Sequence, residues 1–211
     1  VGFSLLTINS ARAYQLAGRI KTIDPNVLIV AGGIHATVLP EECLSAEGID
    51  LVVRREGEVT LSEIARCVQE GGSFDDLEGI SYRRNGTFVH NPDRPVIEDL
   101  NVIPPFPYDL FENNRHHYRD FGTVITARGC PFDCIFCSQR AITGRRYRHL
   151  SIERVLDEVG LLVNKYGVTN IWFMDDNFVV NKKRAFALLD GIIRAGYNKK
   201  TGFVAEMRGE S

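Results

Sequence analysis

The sequence predicts an α/β protein made of two βα series joined by a hairpin and a proline-rich linker. Three observations predict it. Short apolar runs rich in Val, Ile and Phe alternate with longer stretches whose apolar residues recur at helical spacing, and this happens twice along the 211 residues. An Asn-Gly pair separates two runs at 80–84 and 87–90. Prolines at 92, 95, 104, 105 and 107 mark a stretch that is extended where the ring fixes φ. The expected divisions are 1–72, 73–121 and 122–211.

Composition bounds the function. With 25 Lys+Arg against 27 Asp+Glu the net charge is −2, which gives no basic footprint for nucleic acid or an anionic membrane surface. No stretch approaches 18 consecutive apolar residues, so no membrane span is expected. The chain starts at Val1 with a strand-like run and ends in another, and is read as a fragment of something longer, without a signal peptide. Five cysteines are an odd number, which argues against a disulfide framework and for a reducing, cytoplasmic setting.

The elements follow in order. Residues 2–8 read as a buried strand, and Ala13, Leu16, Ala17, Ile20 and Ile23 as one face of a helix broken at Pro25. Val27 to Ala31 reads as a parallel strand ending at Gly32-Gly33. A short helix is expected over Pro40–Ala46 and a third strand over Asp50–Val53. Thr60 to Glu63 has the spacing of a capping box, opening a helix with Leu61, Ile64, Ala65 and Val68 inward. Ile80–Arg84 and Thr87–His90 form the hairpin, with a type I′ turn at Asn85-Gly86. The second series has a strand at Val124–Thr126, a helix capped by Ser151, and a strand at Asn170–Met174. A helix capped by Asn181, with Phe186, Leu189, Ile192 and Ile193 inward, leads to a strand at Phe203–Ala205.

Chemistry concentrates after the first strand of that second series. Cys130, Cys134 and Cys137 stand in a C-x3-C-x2-C loop. Three soft thiolates can ligate three irons of a cubane 4Fe–4S cluster, leaving the fourth iron open to bind and activate a small molecule. Zinc is the alternative, with His149 completing a Cys3His set. Cys43 and Cys67, on expected helices, read as small buried side chains.

The run Thr126-Ala-Arg-Gly-Cys130-Pro-Phe-Asp-Cys134-Ile-Phe-Cys137, placed after a strand, resembles the radical S-adenosylmethionine superfamily. The resemblance implies the first half of a partial (β/α)6 barrel. It implies that Cys130, Cys134 and Cys137 hold the cluster and that its open iron binds S-adenosylmethionine. Phe136 would pack by the adenine. Asp175 and Asp176 fall where the superfamily has a Gly-Gly-Glu-like segment that meets the methionine amino group, although this chain lacks the glycine pair. Glu206 and Arg208, at the next strand end, are further candidates for the cosubstrate. Arg145 to Arg148 read as a solvated basic cluster, or as a carboxylate contact.

The first block, through GFSLLTINS, VAGGIHATVLPEE and VVRREGEVTLSEI, resembles the later part of a cobalamin-binding domain with a Rossmann-like sheet. The family usually reads Gly-Glu-Gly-Glu where this chain has Arg55-Glu56-Gly57-Glu58. Ser4 and Thr7 would hydrogen-bond the cobalamin tail, and Gly32 and Gly33, with Glu56 and Gly57, would edge its site at the carboxyl ends of the strands. No D-x-H-x-x-G motif supplies a histidine to cobalt, and His35 is expected in a loop. The resemblance implies an enzyme that reductively cleaves S-adenosylmethionine, served by a donor such as flavodoxin or ferredoxin. Its substrate would be a small molecule, changed by hydrogen abstraction or methyl transfer. Two rivals stand beside it: a methylthiotransferase-like enzyme without cobalamin, and a non-catalytic metal-binding fragment.

Overall fold

In a computed structural model, residues 1–118 and 121–209 are described. The chain forms two compact units, the first comprising Val1–Ile97 with Cys134–Gly144, the second Glu98–Asp133 with Arg145 onward.

The first unit is built on a five-stranded sheet. Its elements are β1 (Gly2–Ser4), α1 (Thr7–Ile23), β2 (Val30–Gly32), α2 (Ile34–Val38), α3 (Pro40–Ser45), β3 (Leu51–Val53), α4 (Glu58–Glu70), β4 (Ile80–Arg84) and β5 (Thr87–His90). The order is β1-β2-β3-β4-β5, parallel from β1 to β3 and antiparallel thereafter. One face packs Leu5, Ile29, Ala31 and Val52 against Ala13 and Ala17 of α1, with Ala36 and Cys43. The other packs Val30, Leu51, Val53, Ile80 and Tyr82 against Ile64 of α4.

Several expectations are corrected here. The first strand stops at Ser4, because the Asn9 side chain accepts from Leu6 N at 2.9 Å and starts α1 at Thr7. Ile8 therefore faces solvent, and Ile23, the last residue of α1, is exposed as well. Gly33 is followed by α2, so His35 lies on a helix and is buried rather than in a loop. The helix expected from a cap at Thr60 begins at Glu58 instead. Thr60 is buried inside it, its hydroxyl donating to Glu78 O and accepting from Arg94 Nε. Of that helix's four expected inward residues Ile64 is buried, while Leu61 and Val68 are exposed. The hairpin turn is as expected, with Asn85 at φ 50 and Gly86 at φ 79, and its strands extend the first sheet through β3.

The second unit contains β6 (Thr123–Val124), β7 (Ala127–Arg128), β8 (Arg148–His149), α6 (Ile152–Asn164), β9 (Asn170–Phe173), α7 (Lys182–Arg194) and β10 (Gly202–Ala205). A 3-10 segment, Tyr108–His117, precedes β6. Strands β10, β9 and β6 form a parallel sheet in that order, and β7 pairs antiparallel with β8. Both expected caps are made: Ser151 accepts from Arg154 N and Asn181 from Arg184 N. The buried face of α7 is Arg184, Ala185, Leu188, Gly191 and Ile192, one residue round from the expected face, and Phe186 and Ile193 are exposed. The remaining helix, α5 (Gln139–Ile142), belongs to the first unit and buries Ile142.

Candidate cofactor sites

In the first unit the parallel strands end side by side at Ser4, Gly32 and Val53. There a cavity of about 500 Å³ is walled by Ser4, Gly32, Gly33, Val53, Arg55 and Gly57, among others. Small residues on β1 and β2 make this space, because a larger side chain at 2, 4 or 32 would project from the same sheet face. Gly33 also serves the chain itself. At φ 91, a Cβ here would stand 2.9 Å from Leu5 N and O, so only glycine turns the strand into α2.

Four of the six residues expected at a cobalamin site thus border one cavity. The other two do not. Thr7 bonds His35 Nδ1 through its hydroxyl at 3.1 Å, and Glu56, buried, accepts from Ile97 N at 2.8 Å. His35 is caged further, its Nε2 lying 3.0 Å from Tyr14 Oη and 3.2 Å from Glu42 Oε1. Tyr14 Oη also meets Cys43 Sγ at 3.2 Å, and burial pushes both the phenol and the thiol up from their ordinary values. This cage holds α1, α2 and α3 together, so His35 is committed to the protein rather than to a metal.

In the second unit the corresponding strand ends carry the expected acids. Asp175 is buried, and its Oδ1 accepts from Thr126 N at 2.6 Å and Ala127 N at 2.9 Å. Its Oδ2 accepts from the Thr126 hydroxyl at 2.5 Å. Burial pushes its carboxyl up, against the opposing pull of these donors and of Arg184. Asp176 Oδ2 accepts from Gly129 N at 2.9 Å. Both acids therefore grip the backbone that leads into the cysteine loop. The contact expected between Asp175 and a cosubstrate amine meets two oxygens already engaged.

Arg184, which the sequence did not single out, completes this brace. It donates to Thr126 Oγ1, Thr126 O and Leu150 O at 3.0–3.1 Å. A buried arginine whose two terminal nitrogens donate mostly to carbonyls fixes position rather than charge. Glu206 is exposed at the end of β10, its carbonyl accepting from Phe178 N. The Arg208 guanidinium lies 4.1 Å from the ring centre of Phe132, inside the cysteine loop. Of the basic cluster, Arg145 and Arg146 pair with Asp133 and Glu98, whereas Arg148 is buried on β8, against the expectation of a solvated run.

Cys130, Cys134 and Cys137 are all outside any disulfide, Cys137 exposed and the other two partly so. Cys137 N donates to Cys134 O at 3.0 Å, which closes a turn between them, and Phe136 is 89% exposed. Among the described residues no three His, Cys, Asp or Glu side chains are gathered as metal ligands. The donor set fits an iron–sulfur cluster by its chemistry: three reachable thiols on a short loop whose root is fixed. The strand-end cavity is glycine-walled and mostly apolar, with Ser4 among its few polar side chains, and has the small residues that the tail of a cobalamin would need.

Comparison with known proteins assigns these two regions. The B12 binding domain family matches residues 1–65, and the Radical SAM superfamily matches residues 124–206. An uncharacterized methyltransferase of Pyrococcus horikoshii is 40% identical over 188 residues, 88% of this chain and 41% of that protein. The anaerobic magnesium-protoporphyrin IX monomethyl ester cyclase of Rubrivivax gelatinosus is 30% identical over 203 residues, 92% of this chain and 36% of that protein. The radical S-adenosylmethionine methyltransferase TsrM of Kitasatospora setae, solved with cobalamin and a 4Fe–4S cluster, superposes with a TM-score of 0.72 at 21% identity. That match covers 90% of this chain and 38% of TsrM, and shows a shared fold. The chain thus spans about two-fifths of the curated relatives it matches.

Residues 124–206 thus belong to the radical SAM superfamily, and the B12-binding region at residues 1–65 places the chain in its subgroup with such a domain ahead of the radical SAM core.

Proposed function

We propose that this chain is part of a cobalamin-associated radical SAM enzyme acting on a small-molecule substrate by hydrogen abstraction or methyl transfer. The observation that carries the reading is the three-thiol loop whose root is held by Asp175, Asp176 and Arg184. Cys130, Cys134 and Cys137 would hold a 4Fe–4S cluster, and Ser4, Gly32, Gly33 and Gly57 would edge the cobalamin tail. When bound, such a cluster supplies the electron that cleaves the sulfonium of S-adenosylmethionine.

The chain's own residues prepare the site. Three donors on Asp175 pin the junction between β6 and β7, from which the chain runs on to the cysteine loop. Phe136, exposed beside Cys137, is available to cover an adenine, and Arg208 over Phe132 sets a cation against the loop. Methyltransferase and cyclase relatives both support carbon-centred chemistry. Among the described residues no helix is long and apolar enough to cross a membrane. A flavodoxin- or ferredoxin-like donor in a reducing compartment completes the proposal.

Oxygen-free reconstitution tests it. The chain should take up about four irons and four sulfides, and Cys130→Ser, Cys134→Ser and Cys137→Ser should each abolish the visible cluster absorbance while Cys67→Ser leaves it. Corrinoid bands after incubation with hydroxocobalamin separate this reading from a cobalamin-free methylthiotransferase. Reduction of the full-length protein with S-adenosylmethionine should release 5′-deoxyadenosine. A loaded cluster with no such product would favour a non-catalytic metal module, and zinc in place of iron would end the proposal.

A further inference from the structure

Strands β9 and β10 each end by reaching for the segment that carries the cysteines. After β9, Asp175 and Asp176 accept from Thr126 N and Gly129 N. After β10, Arg208 reaches Phe132, with its Cζ 4.1 Å from the ring centre. Phe132 stands midway between Cys130 and Cys134. The arginine starts from a fixed stretch of chain. Two residues before it, Glu206 O accepts from Phe178 N at 3.0 Å, and Phe178 is buried in a stack with Phe173.

A contact of this kind can hold a loop. The guanidinium lies well within the reach of a cation–π attraction, about 6 Å. It covers an aromatic ring that is 39% exposed, whereas Phe136 of the same loop is 89% exposed. The next residue, Asp133, pairs with Arg145, but both of those side chains are more than half exposed, so screening leaves the stack as the firmer hold. An arginine engaged on a ring also keeps its full charge, because the ring has none to cancel it. Arg208 is thus a cation fixed beside the segment that joins two of the three thiols.

We infer that Arg208 is a positioning residue for the cysteine loop: through Phe132 it holds the stretch between Cys130 and Cys134 to the sheet, and its charge favours the reduced state of a cluster carried there. This rests on the proposed radical SAM function. It differs from the role that strand-end position alone suggests, in which Arg208 meets S-adenosylmethionine directly. Two effects of one side chain are separable. The stack orders the loop before any iron is bound, which lowers the entropy lost when three thiols converge. The charge acts afterwards. Reduction adds a negative charge at the loop, and a neighbouring cation offsets it, which raises the potential.

The experiment compares Arg208→Gln, Arg208→Lys, Phe132→Leu and the double variant Phe132→Leu/Arg208→Gln in the full-length protein, handled without oxygen. Before reconstitution, alkylation by iodoacetamide is followed at each cysteine by mass spectrometry. Arg208→Gln and Phe132→Leu should each speed alkylation of Cys130 and Cys134 by about two- to tenfold, while Cys67 reacts at its wild-type rate. The double variant should be no faster than the single ones, because both remove the same contact. Arg208→Lys should recover part of the protection. After reconstitution, a reductive titration read by electron paramagnetic resonance gives the midpoint potential. It should fall in Arg208→Gln and stay near the wild-type value in Arg208→Lys. Arg208→Lys and Phe132→Leu, both conservative, keep the test decisive should Arg208→Gln fold poorly. Additive effects in the double variant overturn the clamp, and faster alkylation with an unmoved potential reduces Arg208 to a structural contact and overturns the inference. Wild-type alkylation and potential in Arg208→Gln, with weaker binding of S-adenosylmethionine, assign the residue to the cosubstrate and overturn it as well. A wild-type protein that takes up no iron overturns the radical SAM reading itself, and this inference with it.

Discussion

Asp175 and Thr126 lie 49 residues apart, yet the carboxylate of one accepts both the amide and the hydroxyl of the other, at 2.6 and 2.5 Å. Parallel strands β6 and β9 bring them together, and the link fixes the residue from which the cysteine loop departs. Asp175→Ala would strand buried donors at Thr126 N, Ala127 N and Thr126 Oγ1. Each unmatched buried group costs about 1–3 kcal/mol, part of which water entering the space recovers, so the variant should lose about 3 kcal/mol. Urea unfolding checks the loss. Iron uptake should fall in the same variant, and a wild-type iron content there would show that the brace does not serve the loop.

Two glycines separate conformational strain from crowding. Gly86 has φ 79 and open space around it, so Gly86→Ala should cost about 1–2 kcal/mol, all of it backbone. Gly33 has φ 91 and a Cβ there would press on Leu5 N and O at 2.9 Å. Gly33→Ala should cost about 3 kcal/mol or more, adding overpacking to the same strain. Chemical denaturation of both variants measures the difference, and equal losses would refute the close approach at Leu5.

What the sequence made legible was local. Ser151 and Asn181 cap their helices through contacts three residues away, and Asn85-Gly86 makes its turn within the hairpin. The spacing of the cysteines and the small residues at Ser4, Gly32 and Gly33 were likewise visible in short windows. The misreadings arose where distant partners decided. Thr60 has the local signature of a cap, but Glu78 and Arg94 claim its hydroxyl. Arg184 looks like one more cation in Lys182-Lys183-Arg184, and its burial depends on Thr126, 58 residues earlier. His35 finds its partners on α1 and α3. No periodicity announces such partners, because they exist only after the sheet has formed.

Arg54 shows how far such a partner can reach. It is buried, donates to Ile80 O, Ser81 Oγ and Asn91 O, and pairs with Asp93. One side chain thus ties the end of β3 to the hairpin and to the chain that follows it. Lysine offers one nitrogen in place of a planar fork. Arg54→Lys should therefore lose about 2–3 kcal/mol despite keeping its charge. Hydrogen exchange should report the loss as faster opening of β4 and β5, with the strands of the second unit unchanged.

Glu158 gives a prediction in pH. Its Oε1 accepts from Tyr108 Oη at 2.7 Å, and burial pushes its carboxyl above the ordinary glutamate value, while the Tyr108 bond and Arg154 pull the other way. A raised acid binds its proton more tightly in the folded state than in the unfolded one. Its contribution to stability is therefore fully present below the unfolded value, about 4.3, and is lost as pH rises through the folded value. Glu158→Gln keeps a carbonyl oxygen for Tyr108 and removes the titration. As pH rises from about 4 through the folded value, the urea midpoint of the wild type should fall relative to that of Glu158→Gln. The two curves should run parallel once the carboxylate is ionised in the folded and the unfolded chain alike. A wild-type midpoint that rises relative to the variant through the same range would mean that Tyr108 and Arg154 outweigh burial at this site.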